Sequence, residues 1–188
     1  MEADRRNELI QIARSAMTEA LSGFAPGAHL PGAIAEEAVT SCGGAFVTLR
    51  DVRRLRGCMG TFRPASSLNE TIDRVARLAC RDPRFVGNPV TADELRRLNI
   101  EISILGPLER TDDPLSLILG THGILIRRGA SSGCFLPHVA TEAGWNVEQF
   151  LGKCCQLKAD LEWDAWKKPD TDVLLFTADV FSEETPDS

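Results

Sequence analysis

With 188 residues, 43% of them hydrophobic and 26% charged, the chain can bury a core without disulfide or metal staples. A formal net charge of -6 excludes a dominant basic face, and with it broad nucleic-acid binding. No apolar run reaches the ~18 residues of a membrane span, and "MEADRRNELIQIARSAMTEAL" lacks the apolar stretch and cleavage site of a signal peptide, so a cytoplasmic protein is expected.

Residues 5–21 repeat apolar side chains at threes and fours (Leu9, Ile12, Ala13, Ala16, Ala20, Leu21), which predicts an amphipathic helix. "SGFAPGAHLPG" ends it and reads as a connector, with His29 an ordinary loop residue. "GAFVTL" predicts a buried strand, and "LRGCMGTF" its hairpin partner across a short polar turn. "SSLNETIDRVARLAC" opens with Ser67 and Glu70 at capping-box spacing and turns Leu68, Ile72, Val75, Ala76 and Ala79 inward. "RDPRFVGNPV" interrupts; "TADELRRL" restarts a short helix, with Thr91 and Glu94 at the same spacing. "NIEISIL" sets Ile100, Ile102 and Ile104 against Glu101 and Ser103, the pattern of a half-exposed strand.

"PLSLIL" predicts a short helical turn, "HGILIRR" a strand, "GASSG" a turn and "CFLP" a brief strand. Val139 to Ala159 is expected to be helical with a break at Gly144 and core positions at Trp145, Phe150, Leu151 and Leu157. "DVLLFTADVF" reads as one final strand and "SEETPDS" as an acidic tail. Several connections are too short for a parallel crossover. The expected class is therefore α+β, with largely antiparallel sheets flanked by helices, as a single domain over 1–183 followed by the tail 184–188.

Six cysteines (Cys42, Cys58, Cys80, Cys134, Cys154, Cys155) without an export signal or a C-x-x-C pair predict free thiols, no metal centre and no cofactor. One stretch, "RRLRGCMGTF", concentrates chemistry. Arg50, Arg53, Arg54, Arg56 and Arg63 crowd around Cys58 and favour thiolate over thiol. Gly57 and Gly60 allow close backbone approach or an anion-binding nest. Together these describe a nucleophile beside an oxyanion pocket. The opposing reading is that the arginines alternate outward on a strand while Cys58 fills the space behind it. His122, at a strand end, is a candidate general base or a polar terminus. Asp82 and Arg84 in "RDPRF" are an anion-holding pair, or a turn cap and a structural fork. Glu101 is a candidate proton carrier or a partner for one of the arginines.

Taken in order, "FVTLRDVRRLRGCMGTF", "DPRF", "ELRRLNIEISIL", "HGILI", "FLPHVATEAGW" and "FLGKCCQLKADL" resemble the AMMECR family, whose prokaryotic members include AmmeMemoRadiSam system protein A. The resemblance implies an α+β fold of two lobes, the larger holding both termini. It marks Leu55, Arg56, Gly57, Cys58 and Gly60 as the family signature and Asp82, Pro83, Arg84 and Phe85 as its second element. It also implies a Memo-like protein and a radical S-adenosylmethionine protein as partners. Two departures stand out. His138 replaces a usual Gln, which weakens any inherited catalytic role there. Asp160 replaces a usual Gly, which leaves the helix end open, although Asp is one of the types that can still end a helix in the left-handed conformation. Two functions follow: a Cys58-centred enzyme or enzyme subunit, or a non-catalytic module whose signature is a structural or interface element.

Overall fold

The computed structural model describes residues 1–23 and 42–183. The tail 184–188, His29 and most of the "SGFAPGAHLPG" connector lie outside the described residues. The chain divides into two compact units, Met1–Ile104 with Asp179–Ser188, and Leu105–Ala178.

The first unit is built on helix α1 (Ala3–Leu21), strands β1 (Gly44–Asp51) and β2 (Arg54–Thr61), helices α2 (Leu68–Ala79) and α3 (Ala92–Leu95), and strand β3 (Asn99–Leu105). β8 (Ala178–Ser182) returns to this unit, giving a sheet in the order β2-β1-β3-β8. Leu9, Ile12 and Ala16 of α1, Ile72, Val75 and Ala79 of α2, Val47 and Leu49 of β1, and Ile100 and Ile102 of β3 form one core. Ile10 and Met17 join it, whereas Ala20 and Leu21 are half-exposed. Helices therefore cover one sheet face. Arg14 ties the unit together: it donates to the carbonyls of Leu95 (2.9 Å) and Leu98 (2.8 Å) and forks onto Glu183, whose carboxylate also accepts the Ile100 N–H. Glu183 is thus an anchor of this unit.

The second unit carries β4 (Glu109–Arg110), β5 (Gly123–Arg128), β6 (Ser131–Phe135), helices α4 (His138–Ala143) and α5 (Val147–Lys158), and β7 (Asp172–Phe176). Its sheet runs β4-β7-β5-β6, with antiparallel β4–β7, β5–β7 and β5–β6 pairings. Ile124, Ile126, Phe135, Phe150, Leu151 and Trp166 make its core. The α+β class with antiparallel sheets is as expected.

Three readings change. "DVLLFTADVF" is two strands in two different sheets, broken at Thr177; no Gly or Pro interrupts the run, so nothing local marks where its pairing partner switches. The turn in "GASSG" is only Gly129–Ala130, and Ser131–Gly133 already pair with β5. Leu157 is 61% exposed, because α5 turns Phe150, Leu151, Cys154 and Cys155 inward instead. The substituted helix end closes in the way Asp allows: Asp160 takes φ +53°, and the Leu161 N–H closes back on the Cys155 carbonyl (2.9 Å).

The β1–β2 hairpin closes through Val52 and Arg53, with Val52 at φ +55°. A β-branched residue in that region is strained. Val52 is 88% exposed, so its side chain contributes no burial to offset the strain. Val52→Asn is expected to stabilise the protein by about 1 kcal/mol, read as a raised thermal midpoint; an unchanged or lowered midpoint would refute this.

Candidate functional site

The site grows from an edge. β2 is the outermost strand of its sheet, so one side of its backbone has no strand partner. Its register with β1 shifts once. Leu49 faces Gly57 and Arg50 faces Leu55, leaving Arg56 as an extra residue. This bulge re-aims the side chains that follow. Arg56 turns inward and is 2% exposed, while Cys58 comes out half-buried on the face opposite the helices. The picture of arginines outside and the cysteine inside is reversed at these two positions.

Cys58 sits opposite Thr48. In such a pair the backbone groups of Cys58 point away from β1, and the two side chains come close. The Thr48 hydroxyl donates to Cys58 Sγ at 3.3 Å. On the open edge, the Cys58 N–H donates to Asp82 Oδ2 (2.9 Å), and Arg84 Nη2 donates to the Cys58 carbonyl (3.0 Å). The "DPRF" side chains thus act as a one-residue substitute for the missing strand.

Asp82 also caps the turn Pro83–Phe85 by accepting the Arg84 N–H (3.0 Å), and its carboxylate takes Arg84 Nε (3.0 Å) and Nη2 (2.5 Å). Burial pushes the Asp82 carboxyl upward, but the Arg84 bonds and the two backbone N–H groups together outweigh it and hold the group at about 2. Arg84 is held above its ordinary value first by its bonds to Asp82, against the cost of burial, with the Cys58 thiol adding to the effect. Its side chain is 52% exposed, and Nη1 makes no hydrogen bond among the described residues.

Arg56 forks onto Glu94: Nε donates to Oε1, Nη2 to Oε2 (2.9 Å), and Nη2 also reaches the Asn88 carbonyl (3.1 Å). The bond to Glu94 raises Arg56, partly offset by burial, and lowers Glu94. Glu94 therefore does not close a capping box; Thr91 alone caps α3, through the Glu94 N–H. Phe85 lies within cation–π range of both Arg56 (5.5 Å) and Arg84 (5.9 Å), interlocking the two motifs. The glycines are packing requirements. A Cβ on Gly57 would sit 2.2 Å from the Ala79 carbonyl oxygen at the end of α2, and one on Gly60 2.1 Å from the Phe46 ring.

Of the remaining candidates, Glu101 is not brought to the thiol. Glu101 shares the Cys58 face but stands on β3, across β1, about 10 Å away by strand spacing, and ion-pairs with Arg50 at 4.0 Å. His122 belongs to the second unit, where its Nδ1 accepts the Ile118 N–H (3.1 Å) and its ring borders a cavity of about 280 Å³. His138 opens α4. Thr48 and Glu94 escaped attention as site residues. Only the hairpin register could have found Thr48, and the turn left that register open. Among the described residues no group of three or more His, Cys, Asp or Glu is placed to hold a metal, and no helix is long and apolar enough to cross a membrane.

Two outcomes follow from this geometry. Gly57→Ala should cost about 2–3 kcal/mol, because backbone must move, whereas Gly60→Ala should cost clearly less, because the half-buried Phe46 ring can swing aside; denaturant unfolding of both variants decides. Asp82 lies at about 2 in the folded protein against an ordinary 3.8, so its contribution is full above about pH 4 and disappears as the pH falls towards 2. Asp82→Asn should lower stability at pH 7 by about 2 kcal/mol and flatten that part of the acid limb, and an unaltered limb would contradict the assignment.

Comparison with known proteins agrees with this architecture. A protein of Methanopyrus kandleri is 41% identical over 155 residues, covering 77% of this chain and 73% of the relative. One from Methanothermobacter thermautotrophicus is 36% identical over 188 residues, covering 96% and 95%. The crystal structure of an uncharacterised protein from Pyrococcus horikoshii superposes with a TM-score of 0.82 at 34% identity, covering 95% of this chain and 91% of that one. The pattern of the AMMECR1 family matches residues 10–181, which include both the strand edge and the turn that completes it, and the chain belongs to that family.

Proposed function

We propose that Cys58 is the functional centre of this protein, a nucleophile or covalent carrier, with Arg84 holding the anionic part of whatever it engages. One observation carries this reading: a half-buried thiol that accepts from the Thr48 hydroxyl, on backbone fixed from the open side by the Asp82 carboxylate and the Arg84 guanidinium. Thiolate chemistry needs a fixed sulfur with donors around it. No carboxylate or imidazole hydrogen-bonds Sγ among the described residues, so the thiol would give its proton to water in forming the thiolate. The resemblance described above suggests that this happens alongside a Memo-like protein and a radical S-adenosylmethionine protein.

A second reading has its own support. Arg56, Gly57, Gly60 and Asp82 each have a packing or pairing role that involves no ligand. The signature would then be the rigid part of a partner-binding surface, with Arg84 and the hairpin at its rim.

Alkylation separates the two. Cys80 is pushed up to about 12 by burial, and burial also drives Cys154 upward. In the folded protein near pH 7, iodoacetamide should modify Cys58 at least about tenfold faster than Cys80 or Cys154, read by peptide mapping, and Cys58→Ser should abolish the cellular function. A Cys58 that alkylates no faster than the buried thiols, or a Cys58→Ala variant that keeps both partner capture and function, would leave the binding-module reading standing.

A further inference from the structure

The first unit is not uniformly acidic. Between Gly44 and Phe85 the sequence has nine arginines and four acids, in a protein of net charge -6. Those acids are already engaged. Asp51 pairs with Arg97 at 3.7 Å, Asp73 with Arg77 at 2.9 Å and Asp82 with Arg84, while Glu70 accepts from the Ser66 hydroxyl. Arg50 and Arg56 are answered from outside the stretch, by Glu101 and Glu94. Arg53, Arg54, Arg63 and Arg74 are exposed and have no carboxylate partner among the described residues.

Their placement follows the outer strand. β2 is eight residues long, or about 25 Å. Arg54 is its first residue, and Arg53 precedes it in the turn. Arg63 lies just past its last residue, Thr61, and Arg74 comes to the same end by donating to the Arg63 carbonyl (2.8 Å). Arg84 stands between the two ends, at the Cys58 carbonyl, with Nη1 unused. Two apolar side chains accompany this line. Val52 at the hairpin tip is 88% exposed and Val86, next to Phe85, is 84% exposed; no other large apolar residue among the described ones exceeds 61%.

Exposed charges of one sign select a partner of the other sign. We propose that this edge of the first unit docks an extended acidic segment of another protein, its carboxylates meeting Arg53 and Arg54 at one end, Arg84 in the middle, and Arg63 and Arg74 at the other. Such a segment is about eight residues long. Asp82 and Arg84 close the strand edge, so recognition runs through side chains and not through backbone pairing. A nucleic-acid strand fits less well. Its bases need aromatic faces to stack on, whereas Phe62 packs on Phe46, and Phe85 is taken up by Arg56 and Arg84. The inference rests on the reading of Arg84 as an anion-holding group, but not on the reactivity of Cys58.

The test is fluorescence anisotropy of the full chain with the fluorescein-labelled peptide Glu-Val-Glu-Thr-Glu-Val-Glu-Thr. At about 20 mM salt it should bind with a Kd of about 100 µM or tighter, and at about 200 mM salt at least about fivefold more weakly. The same peptide with Gln for every Glu should bind at least about tenfold more weakly, and a labelled eight-nucleotide oligothymidylate should also bind more weakly. The double variant Arg54→Gln, Arg63→Gln, checked for native circular dichroism and thermal midpoint, should raise the peptide Kd at least about fivefold. Lys167→Gln with Lys168→Gln removes the same charge from the second unit and should leave it within about twofold. No saturable binding below about 1 mM, equal binding of the Gln peptide, tighter binding of the oligonucleotide, or equal effects of the two double variants would overturn the proposal. If it fails while Cys58 still alkylates at least about tenfold faster than Cys80, the acidic partner alone is lost and the thiol assignment stands.

Discussion

Everything distinctive about this protein depends on completing one exposed strand edge. β2 ends its sheet, and at Cys58 its N–H and carbonyl point outward. The Asp82 carboxylate and the Arg84 guanidinium supply the missing acceptor and donor from side chains, not from another strand. That arrangement fixes Cys58 in place and blocks the edge against pairing with another chain. It also forces "DPRF" to sit beside "LRGCMG", although 24 residues separate Cys58 from Asp82.

The bulge at Arg56 is the second half of the same device. By adding one residue it sends a guanidinium into the interior, where Glu94 and the Asn88 carbonyl receive it. A buried ion pair contributes little net stability by itself, but removing one partner strands the other. Its effect here is to lock the register on which the Thr48–Cys58 pairing depends. Gly57 has a similar role, since α2 ends directly against its Cα. Most of the signature therefore builds the platform, and two groups are left on display: the Cys58 thiol and the outward side of Arg84.

The sequence made much of the fold legible. Periodicity placed α1, α2 and β3, and Ser67 capped α2 as its spacing indicated. The left-handed end at Asp160 followed from chemistry that a short polar side chain tolerates. What escaped were partner choices. Glu94 had the spacing of a capping box, and Thr91 does cap its helix, but the carboxylate is drawn 38 residues back to Arg56. The apolar run after Asp172 reads as one strand and serves two sheets. His122 and Glu101 have the right chemistry and sit elsewhere, because residue type says nothing about which face or unit a side chain occupies.

By itself, then, the sequence determined the class of fold and most of the helices and strands, because these follow from local propensity and hydrophobic period. Only the tertiary structure decided that Arg56 is buried and Cys58 half-buried on the opposite face from the helices, that Thr48 is the thiol's neighbour, and that Asp82 and Arg84 close the edge. Those facts depend on register, on a single extra residue in a strand, and on contacts between segments far apart in the chain. None of these leaves a periodic trace in the sequence.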